Sequence, residues 1–243
     1  KRFLVLTALL FLLAAGLRLY GWNYDQGHNF HPDERRIAEA VTTLTFSPLQ
    51  PNPRFFAYGS FPFYVTRLVQ AGLEKVDARY ASYDGAIRTG RQLSAIWGAS
   101  TVVLLVVLGK LLYGRRVALL GGLFLSLAVL HLQNSHFGVN DVPLAFLSLL
   151  CLTALVPASR SGERKWFALA GAALGLAVAT KFSALPLGAA VVAALSLRVG
   201  KDGWGRTIRN AALLGTVAAL AFAAGSPYAI LDFRAYSHDI LEQ

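Results

Sequence analysis

The sequence predicts an all-α polytopic membrane bundle of about seven spans, with a long outer loop carrying one or two interfacial helices. Three observations predict it. The 243 residues are 55% hydrophobic and only 15% charged, with a mean hydropathy of +0.50. That is too apolar for an ordinary water-soluble domain. The apolar residues also come in blocks near the roughly 20 residues that cross a bilayer as helix. The basic residues between those blocks alternate in density from one connection to the next.

In chain order, the first block runs from Phe3 to Trp22, with Trp22 and Tyr24 where an interfacial aromatic belt would lie. It reads as an uncleaved span rather than a signal peptide, because it is long, lacks a small-residue cleavage site and carries Arg18 near its far end. Residues 23–90 then turn polar and aromatic, broken by Pro48, Pro51, Pro53 and Pro62. Within them Pro32 suits the first turn of a helix and Asp33 and Glu34 suit its dipole. Ile37, Val41 and Leu44 follow at helical spacing, leaving Arg35, Arg36 and Glu39 on the other faces. A second amphipathic piece covers Phe61 to Val76. Six further apolar blocks follow: Gln92–Leu112, Val117–Gln133, Val142–Pro157, Trp166–Thr180, Phe182–Leu197 and Asn210–Ser226. Gly171 and Gly175 form a small-xxx-small pair, a helix-packing signal.

With the N-terminus inside, twelve of the 23 basic residues fall on the inner side against Glu163 and Asp202 alone, a net +10, and the outer side is neutral. All three short basic loops share that side, which predicts a plasma-membrane protein with its N-terminus cytoplasmic and its C-terminus outside. The net charge therefore calls for membrane lipids and no nucleic-acid partner. Cys151 is the only cysteine and lies in an apolar block, so no disulfide framework is expected.

The same alternation carries Asp33, Glu34, His136, Asn140, Asp141, Lys181 and Asp232 to the outer face. Four of them have a plain alternative. Asp33 and Glu34 could serve only the helix dipole, Asp141 could be a helix cap with Pro143 in the first turn, and Lys181 a snorkelling flank. Their convergence on one side favours a functional site at the membrane boundary.

These residues sit in stretches that resemble the GT-C glycosyltransferases. That group comprises polyprenyl-phosphate-sugar-dependent membrane enzymes and includes the protein O-mannosyltransferases and the aminoarabinose transferases of lipid A. The matching stretches are Phe30-His31-Pro32-Asp33-Glu34, Tyr58-Gly59-Ser60-Phe61-Pro62-Phe63-Tyr64, Arg91-Gln92-Leu93-Ser94, the run Ser135 to Leu144, the run Gly175 to Phe182, and Gly225-Ser226-Pro227-Tyr228. The Tyr58 stretch departs from the double-proline form common in relatives. The resemblance implies that residues 1–243 are the transmembrane module of a longer enzyme whose C-terminal part is absent here. It also implies transfer of a sugar from a polyprenyl-phosphate donor to an acceptor at the outer face.

On that resemblance Asp33 is the candidate base, with Glu34 beside it but about 100° away around the helix. Asp141 matches the family's second acid, orienting the acceptor or holding a divalent metal ion with Asp33. Lys181 and Arg91 would compensate the phosphate charge, and His31, His136, Asn140 and Tyr58 complete the candidate substrate contacts. The rival function is a non-catalytic or degenerate membrane subunit packing against partner helices. A transporter is disfavoured, because no duplicated pair of interrupted helices is evident.

Overall fold

The computed structural model describes residues 1–241. Among them are eleven α-helices: α1 (Arg2–Leu19), α2 (Pro32–Thr43), α3 (Phe61–Leu73), α4 (Tyr83–Tyr113), α5 (Arg115–Leu127), α6 (Val129–Asn134), α7 (Asp141–Ser161), α8 (Arg164–Val178), α9 (Leu187–Gly225), α10 (Tyr228–Leu231) and α11 (Phe233–Leu241). A two-residue antiparallel hairpin, β1 (Thr45–Phe46) with β2 (Leu49–Gln50), follows α2. The chain is an all-α, multi-pass membrane protein.

Four stretches among the described residues are long and apolar enough to cross a membrane: Arg2–Leu19, Tyr83–Tyr113, Asp141–Ser161 and Phe182–Gly225. The last holds two of the expected spans. Gly203, with φ 71° and ψ 166°, interrupts α9 and divides it. The expected third span is likewise divided, into α5 and α6, by the extended Ala128. The expected second span starts nine residues earlier than its apolar core, at Tyr83, where the Ser82 hydroxyl accepts from the Gly85 N–H at 3.1 Å. The segment between α1 and α4 therefore ends at Ser82.

Small residues set the helix approaches. α8 packs on the second half of α9 so closely that a Cβ on Gly171 would lie 2.5 Å from the Leu214 carbonyl oxygen, and one on Gly175 2.1 Å from that of Ala218. α1 leaves Leu4, Val5, Leu9 and Leu12 exposed as an apolar stripe and buries Ala14 and Arg18. A cation buried in an apolar bundle must be satisfied by oxygen or nitrogen acceptors. Arg18 donates to the Ala14 carbonyl at 3.0 Å and the Leu125 carbonyl at 3.3 Å, and meets His131 Nδ1 at 2.8 Å. This network fixes the end of α1 against the α5–α6 break.

The segment between α1 and α4 rests on the bundle through α2. Ile37, Val41 and Leu44 are buried against Phe63, Ile87 and Val139, while Arg35, Arg36 and Glu39 are exposed, as the helical periodicity predicts. α10 and α11 fold back on the loop before α3: Asn52 donates to Asp232 at 3.0 Å, and the Phe56 N–H donates to Asp239 at 3.0 Å.

Candidate functional site

The site is built where four chain segments meet at one end of the bundle: the start of α2, the loop before α3, the start of α7 and the turn after α8. Backbone pairing holds the second to the fourth. The Gly59 N–H donates to the Thr180 carbonyl and the Phe61 N–H to the Ala179 carbonyl, both at 3.1 Å. Only glycine permits this approach, since a Cβ at Gly59 would stand 2.0 Å from the Ala179 carbonyl oxygen. Asn140, buried at the N-cap of α7, ties in the third segment by donating to the Thr180 carbonyl at 3.0 Å and the Gly59 carbonyl at 3.2 Å. Its amide nitrogen is thus committed to positioning the loop.

This frame sets Tyr58, Asp141 and Lys181 side by side. Lys181 Nζ lies 2.8 Å from Asp141 Oδ1 and 5.5 Å from the centre of the Tyr58 ring. Asp141 is the first residue of α7, one past the Asn140 N-cap, and its carboxylate accepts from the lysine. Both members of the pair are partly exposed, at 32% and 46%. Lys181, the candidate for compensating a phosphate charge, is paired with Asp141 here.

Asp33 approaches the same group from α2. Desolvation first, then the charge of Asp33 and a hydrogen bond to it, and then the charge of Asp141, push the Tyr58 phenol up to about 12. Tyr58 is consequently a neutral hydrogen-bond donor between the two acids. Asp33 has no cationic partner among the described residues and lines an open cleft with Pro32, Arg35, Arg36 and Glu39. Tyr58 and Lys181 line a second cleft with Phe56, Phe182 and Tyr236. Arg35, exposed as the periodicity predicts, puts a guanidinium in the Asp33 cleft.

Glu34 and Arg91 lie elsewhere. Glu34 is 1% exposed and holds Arg91 through two bonds, Nε to Oε1 at 2.8 Å and Nη2 to Oε2 at 2.6 Å. The same Glu34 oxygen, Oε1, accepts from the Gly138 N–H at 2.7 Å. Asp25 completes the cluster, accepting from Arg91 at 2.9 Å and 2.6 Å. Bonding to Arg91 holds the Asp25 carboxyl at about 2, below its ordinary 3.8. With both carboxylates against it, Arg91 has no spare donor face for a substrate phosphate, which corrects its expected role. Glu34 is likewise fully engaged in fixing α2 to α4 and to the turn before α7.

The two histidines do not join the acids. The His31 ring packs on Phe137 with centroids 4.5 Å apart. In His136, Nδ1 lies 2.9 Å from the Leu132 carbonyl and Nε2 2.9 Å from the Tyr20 carbonyl, so both nitrogens are occupied. Among the described residues no three His, Cys, Asp or Glu side chains are grouped to hold a metal ion.

The fold is that of the GT-C class of membrane glycosyltransferases. More specifically, the chain belongs to the dolichyl-phosphate-mannose-protein mannosyltransferase family, whose model matches residues 84–230, over half of its length. Solved structures share the fold at low identity. The S. cerevisiae protein O-mannosyltransferase Pmt1-Pmt2 complex bound to the sugar donor aligns with a TM-score of 0.69 and 18% identity, over 97% of this chain and 34% of that one. The oligosaccharyltransferase AglB from Archaeoglobus fulgidus, in complex with an inhibitory peptide and a dolichol-phosphate, aligns at 0.73 and 14%, over 99% and 32%. ArnT from Cupriavidus metallidurans bound to undecaprenyl phosphate aligns at 0.62 and 20%, over 96% and 41%. The chain thus spans between 32% and 41% of the length of these three proteins. A search of curated proteins returns no match.

Proposed function

We propose that the chain is the catalytic transmembrane module of an inverting glycosyltransferase that moves a sugar from a polyprenyl-phosphate donor to an acceptor hydroxyl. The reaction takes place at the outer face of the plasma membrane, with the N-terminus cytoplasmic. The observation that carries this reading is the Asp33 carboxylate, unpaired, beside the neutral Tyr58 phenol and next to the Lys181–Asp141 pair. Transfer requires a base for the acceptor, a cation for the departing phosphate and a place beside the hydrocarbon for the lipid tail.

In this reading Asp33 takes the proton of the acceptor hydroxyl as its oxygen bonds to the anomeric carbon. The bond from that carbon to the phosphate oxygen breaks, and polyprenyl phosphate leaves with the electron pair. Lys181 turns from Asp141 to the phosphate. A half-exposed ion pair is worth only about 0–1 kcal/mol, so a phosphate anion competes for the lysine at little cost. Asp141, released, orients the acceptor. The family membership and the bound polyprenyl phosphate or sugar donor named for the solved relatives support the donor class.

The test is Asp33→Asn in the full-length protein, assayed for transfer from a polyprenyl-phosphate sugar. Loss of a general base lowers turnover by roughly 10²- to 10⁴-fold with the protein still folded. Turnover within twofold of the parent would remove Asp33 as the base, and no transfer by the folded full-length parent would favour the non-catalytic subunit reading.

A further inference from the structure

The opposite end of the bundle carries a second polar cleft. α7 is 21 residues long, so at about 1.5 Å per residue its far end lies roughly 30 Å from Asp141. There the turn between α7 and α8 faces the second half of α9, and the cleft is lined by Gly162, Glu163, Arg164, Arg206, Arg209 and Asn210. It opens at the N-terminus of the 15-residue α8, whose first amide N–H groups have no partner within the helix.

The charges around it are unequally engaged. Glu163 is held by Lys165 at 2.6 Å. Arg198 is buried and committed, pairing with Asp202 and donating to the Arg160 carbonyl at 3.0 Å, which closes the end of α7. Arg206 reaches Asp202 only at 3.5 Å. Arg164 and Arg209 are exposed, and neither has an ion-pair or hydrogen-bond partner among the described residues.

The second observation is Asn210. Its side chain lines this cleft, is 2% exposed, and its amide nitrogen has no hydrogen-bond partner. Leaving a buried donor unmade is unfavourable, and such a group in a polar cleft marks a place where something else completes the bond. A half-turn of the amide exchanges its oxygen and nitrogen, so the donor can be presented to the cleft. Two unpaired guanidinium groups, a third lightly held, an unpartnered amide and a helix N-terminus together offer donors and positive potential to one anion.

We propose that this cleft binds a phosphate anion, supplied by the headgroup of an anionic membrane phospholipid or by free phosphate. Trp204 at 70% exposure and Ile208 at 60% flank the arginines on α9, and such residues suit the headgroup boundary of a bilayer. The site is separate from the proposed transfer chemistry and does not depend on it.

The experiment uses the purified full-length protein in neutral detergent. Retention of phosphatidylglycerol and phosphatidylcholine is measured by native mass spectrometry, and inorganic phosphate is titrated in parallel by its effect on melting temperature. Arg164→Gln/Arg209→Gln lowers phosphatidylglycerol occupancy about tenfold and leaves phosphatidylcholine unchanged. Arg116→Gln, an exposed arginine on the same end but outside the cleft, leaves both unchanged. If only the titration with inorganic phosphate responds, and responds to the same double substitution, the site is one for free phosphate. Asn210→Ser weakens whichever anion binds without altering charge, and the arginine variants stand alone should it fold poorly. Equal retention of phosphatidylglycerol by parent and double variant with no phosphate response, or equal losses in the double variant and Arg116→Gln, overturns the proposal.

Discussion

Asp33 and Glu34 are adjacent in the first turn of α2, yet their carboxylates belong to different parts of the molecule. Glu34 is 1% exposed and grips Arg91 and the Gly138 N–H, whereas Asp33 lines an open cleft beside Tyr58. The roughly 100° between neighbouring helical residues produces the division. It lets one turn of helix anchor itself with one acid and present the other.

That division makes the two acids separable by experiment. Glu34→Gln removes one arm of a buried ion cluster and lowers stability by about 3 kcal/mol, and Arg91→Leu, which strands two buried carboxylates, lowers it by about 3–5 kcal/mol. Thermal melting of the detergent-solubilised full-length protein measures both. Transfer per folded molecule stays near the parent value for Glu34→Gln, the reverse of the pattern expected for Asp33→Asn. A Glu34→Gln protein that melts with the parent but fails to turn over would assign catalysis to Glu34.

Acid should loosen the same cluster in a defined window. Arg91 holds the Asp25 carboxyl at about 2, against 3.8 ordinarily. The group is depressed in the folded state, so its contribution is complete above about 3.8 and is lost as pH falls toward about 2. Melting temperature against pH should therefore be steeper over that interval in the parent than in Asp25→Asn, which carries no carboxyl to protonate. Parallel curves would mean that Asp25 and Arg91 are not coupled in the membrane protein.

The sequence discloses those features that leave a periodic or compositional trace. The buried face of α2, the small-residue contacts of Gly171 and Gly175, and the placing of Asp33, Asp141 and Lys181 at one bundle end all follow from spacing and from counting spans. Partners distant in the chain leave no such trace. Arg91 meets Glu34 and Asp25 across 57 and 66 residues, and Asp25 is a lone loop acid with no motif around it. One signal was available. Arg18 lies within a predicted span and Arg91 directly before one, and a charge there is expensive unless satisfied, so each implies a buried partner. The break at Gly203 falls between the two predicted spans, but the helical turns on either side of it and the early start of α4 escaped a hydropathy reading, because polar helical turns look like loop when only apolar runs are measured.

The Lys181–Asp141 pair yields the prediction that separates donor handling from acceptor handling. At 2.8 Å and partly exposed, the pair is weak enough for a phosphate to take the lysine. Lys181→Gln removes a positive charge felt by the phosphate in both ground and transition states, so the donor KM rises by about tenfold and kcat changes less. Asp141→Asn removes the lysine's resting partner. If Asp141 only parks Lys181, the donor KM falls or holds and kcat is retained; if Asp141 orients the acceptor, kcat falls and the acceptor KM rises. Steady-state kinetics with each substrate varied in turn distinguishes these outcomes. A Lys181→Gln enzyme whose donor KM matches the parent would remove the lysine from the phosphate site and leave Arg35, in the Asp33 cleft, as the cation to test next.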